Sequence, residues 1–342
     1  QTTNATLFSF ASNLTHYVGT TDFNWGIFLS SSKLDSDLGG IFQNVDLKVE
    51  YITEVGAYLE PVFNPMEGLS VQPGVRLQSF PSKNESFIEP RLRVVWNTGI
   101  HRLSMAAGTY HQELTGLNDR RNAGDIFTAW TAAPNGKVPE AKHIIVGYRV
   151  QPTNWITFAA EGFYKDLTNL VVPEWTAFPR FNTNIQAADG TASGFDIRLE
   201  LGSSDKFQTT ISWGRSEVKY GSKARALQIL TGEAEVEYSP PHDRKDQINI
   251  MTSLKLKGFN FNVRWQFGTG LPFNESLGFD RWVLLDSLVN VTEIPGEERV
   301  LYGRPYTGRL PTYHRLDISL DREFRIGPTT FLTIQTGILN AY

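Results

Sequence analysis

Hydrophobic and polar residues alternate with a period of two along much of the chain, the pattern of strands that send successive side chains to opposite faces. Between Gly258 and Gly268, Phe259, Phe261, Val263, Trp265 and Phe267 share one face, while Asn260, Asn262, Arg264 and Gln266 share the other. The same alternation runs through Leu69–Phe80, Ile88–Trp96 and Phe195–Leu201. Weaker versions occur at Thr6–Val18, Trp25–Ser30, Glu54–Glu60, His101–Gln112, His143–Val150 and Trp155–Tyr164, then at Phe207–Ser216, Gln247–Leu256, His314–Phe324 and Phe331–Asn340. The pattern predicts about fourteen strands, several near the roughly 9–11 residues that a tilted membrane strand needs.

Soluble antiparallel sheets with one wet face also alternate. Two features separate this chain from them. Short links (Gly19–Asn24, Pro61–Gly68, Asn97–Ile100, Gln151–Asn154, Gly202–Lys206, Lys257–Gly258, Arg325–Thr330) take turns with long ones (Ser31–Thr53, Glu113–Lys142, Lys165–Ala192, Glu217–Asp246, Gly268–Tyr313). Only Pro81–Phe87 is brief where a long link is due. Short hairpins at one end and long loops at the other are the layout of outer-membrane barrels, with tight periplasmic turns and large extracellular loops. The second feature is aromatic placement. Trp25, Trp96, Trp155, Phe207, Phe259, Phe324 and Phe331 stand near the short turns, where a ring of aromatics would meet one membrane–water interface. The expected fold is therefore all-β: an antiparallel transmembrane β-barrel facing outer-membrane lipid.

The alternation also predicts an inner face. Arg76, Arg91, Arg93, Arg198, Arg264 and Arg315 share it with Glu54, Glu89, Glu161, Asp196, Glu200, Asp317 and Asp321. A basic side chain facing lipid at mid-membrane costs about 2–4 kcal/mol, so this face should look into the lumen, against water or another part of the protein.

Composition narrows the chemistry without redirecting it. The 342 residues hold no cysteine, which removes disulfides, thiolate metal sites and a cysteine nucleophile. A net charge of −4 offers no general field for nucleic acid. No run of about 18 apolar residues suggests a membrane helix, and the first ten residues lack the form of a secretion signal. The six histidines show no i, i+4 pair on a helix, and no helix is expected; neither a nucleophile elbow nor a phosphate loop is present. No catalytic residue, metal or cofactor is predicted. On the long links, Arg120 and Arg121 in an acidic–basic stretch, with Trp130, Trp175, Phe178 and Phe181, are candidate solute contacts, because aromatics on loops are costly to leave in water.

Several segments resemble one family. Glu54-Val-Gly-Ala-Tyr-Leu-Glu60 followed by Leu69-Ser-Val-Gln-Pro-Gly-Val-Arg76 resembles paired strands of TonB-dependent receptors. Ile88-Glu-Pro-Arg-Leu-Arg93 with Ala106–Gln112, and Pro139–Tyr148 with Glu161–Lys165, resemble the hairpins that follow. Arg304-Pro-Tyr306, Arg309–Asp317 and Asn340-Ala-Tyr342 resemble the last strands, in the manner of receptors from Bacteroidetes-type bacteria. The resemblance implies import of a scarce bulky solute (siderophore, cobalamin, glycan or peptide). TonB would drive it through an N-terminal segment, the chain's own plug domain would block the lumen, and a surface lipoprotein would be an optional cap. Nothing here reads as the plug or the segment that meets TonB, and family barrels have roughly 22 strands. Residues 1–342 are thus expected to be a barrel portion of a longer protein, missing the plug, the first several strands and the last. The alternatives are a closed fourteen-stranded porin-like channel and a structural or adhesive barrel.

Overall fold

A computed structural model of the chain describes residues 2–37, 46–117, 129–175, 185–203, 206–282 and 296–342. Fourteen strands pair antiparallel in chain order: β1 (Thr2–Val18), β2 (Thr21–Asp37), β3 (Asp46–Met66), β4 (Leu69–Phe80), β5 (Glu85–Thr98), β6 (His101–His111) and β7 (Glu140–Thr153), then β8 (Ile156–Pro173), β9 (Ile185–Ser203), β10 (Phe207–Ser222), β11 (Asp246–Leu256), β12 (Phe259–Gly268), β13 (Tyr313–Arg325) and β14 (Phe331–Ile338). The strands are those the alternation predicts, but several are longer. β3 runs on to Met66, so the link expected at Pro61–Gly68 shrinks to Glu67 and Gly68. β2 and β3 also climb well into the Ser31–Thr53 segment.

The tight turns are built by residues that accept a positive φ. At the β11–β12 hairpin Lys257 (φ 50°) and Gly258 (φ 82°) both adopt it, the requirement of a two-residue turn matched to strand twist. At Gly68 (φ 76°) a Cβ would collide with the Asn97 carbonyl.

Register fixes the faces. Arg76 pairs with Glu89 and Tyr58, Arg264 with Asp317, and Glu161 with Asp196, so charged residues from successive strands fall on one side. On the other side Ile88, Val146 and Leu77 are 68, 54 and 52% exposed. A soluble protein would not leave so wide an apolar surface in water. Residues from β2 through β8 line one cavity on the charged side, which makes that face concave. Trp25, Trp96, Phe207 and Phe259 belong to the apolar outer face, as does Phe324, whose ring lies 4.7 Å beneath the Arg322 guanidinium. Phe331 departs from the expected ring: it stands opposite Arg325, in register with the polar face.

Above the long-link ends of the strands the chain forms structure that alternation did not reveal. The short strand Val236–Tyr238 extends β10, and Leu114–Leu117 pairs with Ala129–Ala132. Ser276–Trp282 pairs with Glu297–Tyr302, and Pro272–Phe273 with Gly308–Arg309. The helix Arg225–Thr231 corrects the expectation of a helix-free chain. Among the described residues β1 and β14 do not pair with each other, and the sheet stays open.

Candidate lumen and rim binding surfaces

Three ionic patches follow one another across the concave face. In the first, Glu54 Oε1 accepts from Arg76 Nη2 (2.5 Å) and Gln78 Nε2 (2.7 Å). Glu89, 1% exposed, accepts from Arg91 Nη2 (2.8 Å), and its Oε1 takes the His111 backbone N–H at 2.7 Å. The β5–β6 ladder explains that last contact. It runs from Thr98/His101 to Arg91/Gly108 and stops, so above this point the Glu89 carboxylate replaces a missing strand partner. The His111 ring turns inward, stacks on Phe87 with centroids 3.8 Å apart, and stands between Glu89 (Nδ1, 3.1 Å) and Glu140 (Nε2, 3.3 Å). Arg76 covers the Phe28 ring at 4.0 Å and Arg91 the Tyr110 ring at 4.7 Å. These arginines therefore have fixed positions, a prerequisite for docking against them.

The second patch gathers Glu161, Asp196, Arg198 and Glu200 with Arg102 and Arg149; Arg198 Nη2 meets Glu200 at 2.6 Å. In the third, Arg315 Nε donates to Asp317 at 2.7 Å, Arg264 lies opposite Asp317, and Asn260 and Asn262 bind Asp321 at 2.6 and 3.0 Å. Many of these side chains are a quarter to a half exposed, so their pairing adds little stability. What they supply is a patterned surface of both signs. Arg93 stands between the first two patches, exposed and, among the described residues, in no ion pair.

Of the predicted solute contacts, Arg120, Arg121, Phe178 and Phe181 lie outside the described residues. Trp130 is 46% exposed on the Ala129–Ala132 strand and makes no ring contact among the described residues. Trp175 sits in a chain of rings at the rim: Trp175–Tyr306 (6.3 Å), Tyr306–Tyr238 (5.6 Å), Tyr238–Tyr220 (6.1 Å) and Tyr220–His242 (5.9 Å). Sequence reasoning missed these partners, because Tyr220 lies past the end expected for its strand and Tyr238 and Tyr306 fall in segments without period. The one available signal was the density of Tyr, Pro and His at Tyr238–His242.

The loops that carry the rings are clamped. Asp243, 1% exposed, accepts from Arg309 Nη2 at 2.6 Å and from the Val218 N–H at 3.0 Å, and Arg309 Nη1 reaches the Asp243 carbonyl at 2.8 Å. Asn274 accepts the Tyr306 N–H at 2.7 Å, and Arg304 pairs with Glu233. At the neighbouring Pro81–Asn84 turn, buried Glu113 accepts from Ser82 (2.7 Å) and faces Lys83 (3.8 Å); burial pushes its carboxyl above the usual range, against the Ser82 and Lys83 contacts.

An antiparallel meander that is apolar outside and ionic within, with its folded loops at one end, is the wall of a membrane β-barrel. The chain matches the family model described as TonB dependent receptor-like, beta-barrel, over residues 1–341, and belongs to that family. It is thus part of a bacterial outer-membrane β-barrel. Among solved structures it is similar to the ferric enterobactin receptor of Pseudomonas aeruginosa (a mutant form; 14% identity, TM-score 0.59, covering 98% of this chain and 48% of that one). It is also similar to the copper transporter OprC (10%, 0.61, 99% and 50%) and to the outer membrane transporter YddB from Escherichia coli (12%, 0.61, 99% and 50%). The chain spans about half the length of these structures, and at such identities the likeness is one of fold. No curated protein matches by sequence.

Proposed function

We propose that residues 1–342 form part of the wall of a receptor that imports a scarce, bulky solute across the outer membrane, powered through TonB, and that the chain performs no covalent chemistry. The observation that carries this reading is the concave face. Its cavity of about 640 Å³ is lined by Glu54, Arg76, Glu89, Arg91, His111 and Glu140, among others. Charges of both signs, held by rings and reciprocal hydrogen bonds, suit docking of a folded plug that must be gripped and then released. In this reading Arg76, Arg91, Arg93, Arg198, Arg264, Arg315, Glu89, Glu161 and Asp317 are the docking residues. The plug and the remaining strands belong to other parts of the polypeptide, and the loops at the rim select the solute.

Planar-bilayer recording of the full-length protein tests this. A plugged receptor stays electrically silent, and the double variant Arg76→Ala/Arg91→Ala should open at a lower urea concentration than the parent. Steady conductance steps from the parent would instead identify a porin-like channel.

A further inference from the structure

Beside the ionic cavity lies a second one of about 290 Å³, and Gln112, Leu114, Pro139 and Leu170 border both. Its character is different. Trp175, Tyr220, Tyr238 and Tyr306 face it, and none of its described lining residues is an aspartate, glutamate, lysine or arginine. The Arg309–Asp243 clamp and the Asn274–Tyr306 hydrogen bond hold the loops that carry Tyr238 and Tyr306, so these rings are set in place before any solute arrives.

The tyrosines also offer hydrogen-bonding groups. Among the described residues neither the Tyr220 nor the Tyr238 hydroxyl has a hydrogen-bond partner. Burial pushes the Tyr220 hydroxyl up to about 12, and burial, with Tyr306 and Tyr220 nearby, raises that of Tyr238 further still. Both therefore stay neutral. Neither hydroxyl is among the buried unpaired polar atoms and both side chains line the cavity, so a group entering it with a matching acceptor or donor can take the place of water at them. A strongly anionic ring would find no lysine or arginine among the described lining residues.

We propose that this rim cavity takes one uncharged ring of the imported solute, bearing hydroxyl or carbonyl groups on its edge, which stacks on Tyr238 and Tyr306 and hydrogen-bonds the Tyr220 and Tyr238 hydroxyls. The proposal rests on the import reading, and adds that the solute is recognised at the rim through a neutral ring while its more polar part faces the ionic cavity. Neutral sugar rings and neutral aromatic rings both have this chemistry.

The test uses the purified full-length receptor in detergent micelles and ligand-observed saturation-transfer NMR. The probes are maltotriose, catechol and 2,3-dihydroxybenzoate. At least one neutral probe should bind more tightly than the anionic one. Tyr238→Ala should weaken it about tenfold by removing the stacking face. Tyr238→Phe, which keeps the ring, should weaken it about threefold through the lost hydroxyl. Binding of maltotriose assigns the site to a sugar, and binding of catechol to an aromatic ring. Preference for 2,3-dihydroxybenzoate, no binding of either neutral probe, or affinity indifferent to both Tyr238 variants would overturn the proposal. These outcomes do not depend on TonB or on conductance, so they are separable from failure of the import reading in bilayers.

Discussion

Replacing Glu89 by alanine should part the barrel wall between β5 and β6 while leaving the rest of the sheet intact. The ladder between these strands ends at Arg91/Gly108, and above it the buried Glu89 carboxylate takes the His111 N–H at 2.7 Å and the Arg91 guanidinium at 2.8 Å. Each hydrogen bond to a charged group contributes about 1.5–3 kcal/mol, but the arginines are a quarter exposed and keep other carboxylates, Glu54 for Arg76 and Glu60 for Arg91. Discounting for that screening leaves a local loss of about 3 kcal/mol, equivalent to roughly 150-fold more frequent opening. Hydrogen exchange of the full-length receptor in lipid nanodiscs measures this directly, in peptides covering residues 108–113. Glu161→Ala on the same concave face is the control, and should leave those amides unchanged. If exchange at 108–113 rises less than about threefold in Glu89→Ala, the carboxylate does not hold this seam and the reasoning fails.

Other consequences are equally open to measurement. Val146→Arg, on the outer face, should lower folding stability in liposomes by about 2–4 kcal/mol, whereas Ser104→Arg on the concave face should cost under about 1 kcal/mol; equal losses in urea titrations would contradict the assigned faces. Asp243→Asn should loosen both loops joined by Arg309, seen as faster limited proteolysis near residues 239–245 and 304–310 with strand cores still protected; protease resistance equal to wild type would show that the clamp is dispensable. Glu113 gives a pH signature. Burial raises its folded-state pKa, so its contribution is fully present below the unfolded value of about 4.3 and is lost as pH rises through the raised one. Exchange at the Pro81–Asn84 turn should therefore quicken from acid to neutral pH in wild type and not in Glu113→Gln; parallel pH profiles would refute this.

The membrane strands were legible because a half-lipid, half-lumen environment imposes strict alternation, as at Phe259–Gly268. Where that constraint weakens, so does the signal. β2 and β3 extend past the alternating core as Ser31–Lys33 and Glu50–Thr53, where only Ile52 of these residues joins a small apolar cluster, with Leu34 and Ala132, and lipid no longer imposes the period. Tyr220 belongs to the same kind of extension on β10, and for that reason the rim cavity could not be assembled from the sequence. The lumen charges could be assigned to a face from parity alone, but their partners could not: Glu89 pairs with a backbone amide because of a ladder break, and no pattern marks that break. Phe331 shows the converse error, since an aromatic near a turn reads as an interface anchor whichever face it takes.

The central claim is a wall with lipid on one face and a polar lumen on the other, and site-directed spin labelling tests it most directly. The sequence holds no cysteine, so single cysteines can be introduced at residues 143–149 of the full-length protein without a native thiol from this chain interfering. Labels at Ile144, Val146 and Tyr148 should be relaxed by oxygen dissolved in the bilayer, and those at His143, Ile145 and Gly147 by a water-soluble nickel chelate. Loss of that alternation, or access of the chelate to both sets alike, would contradict a membrane-spanning barrel.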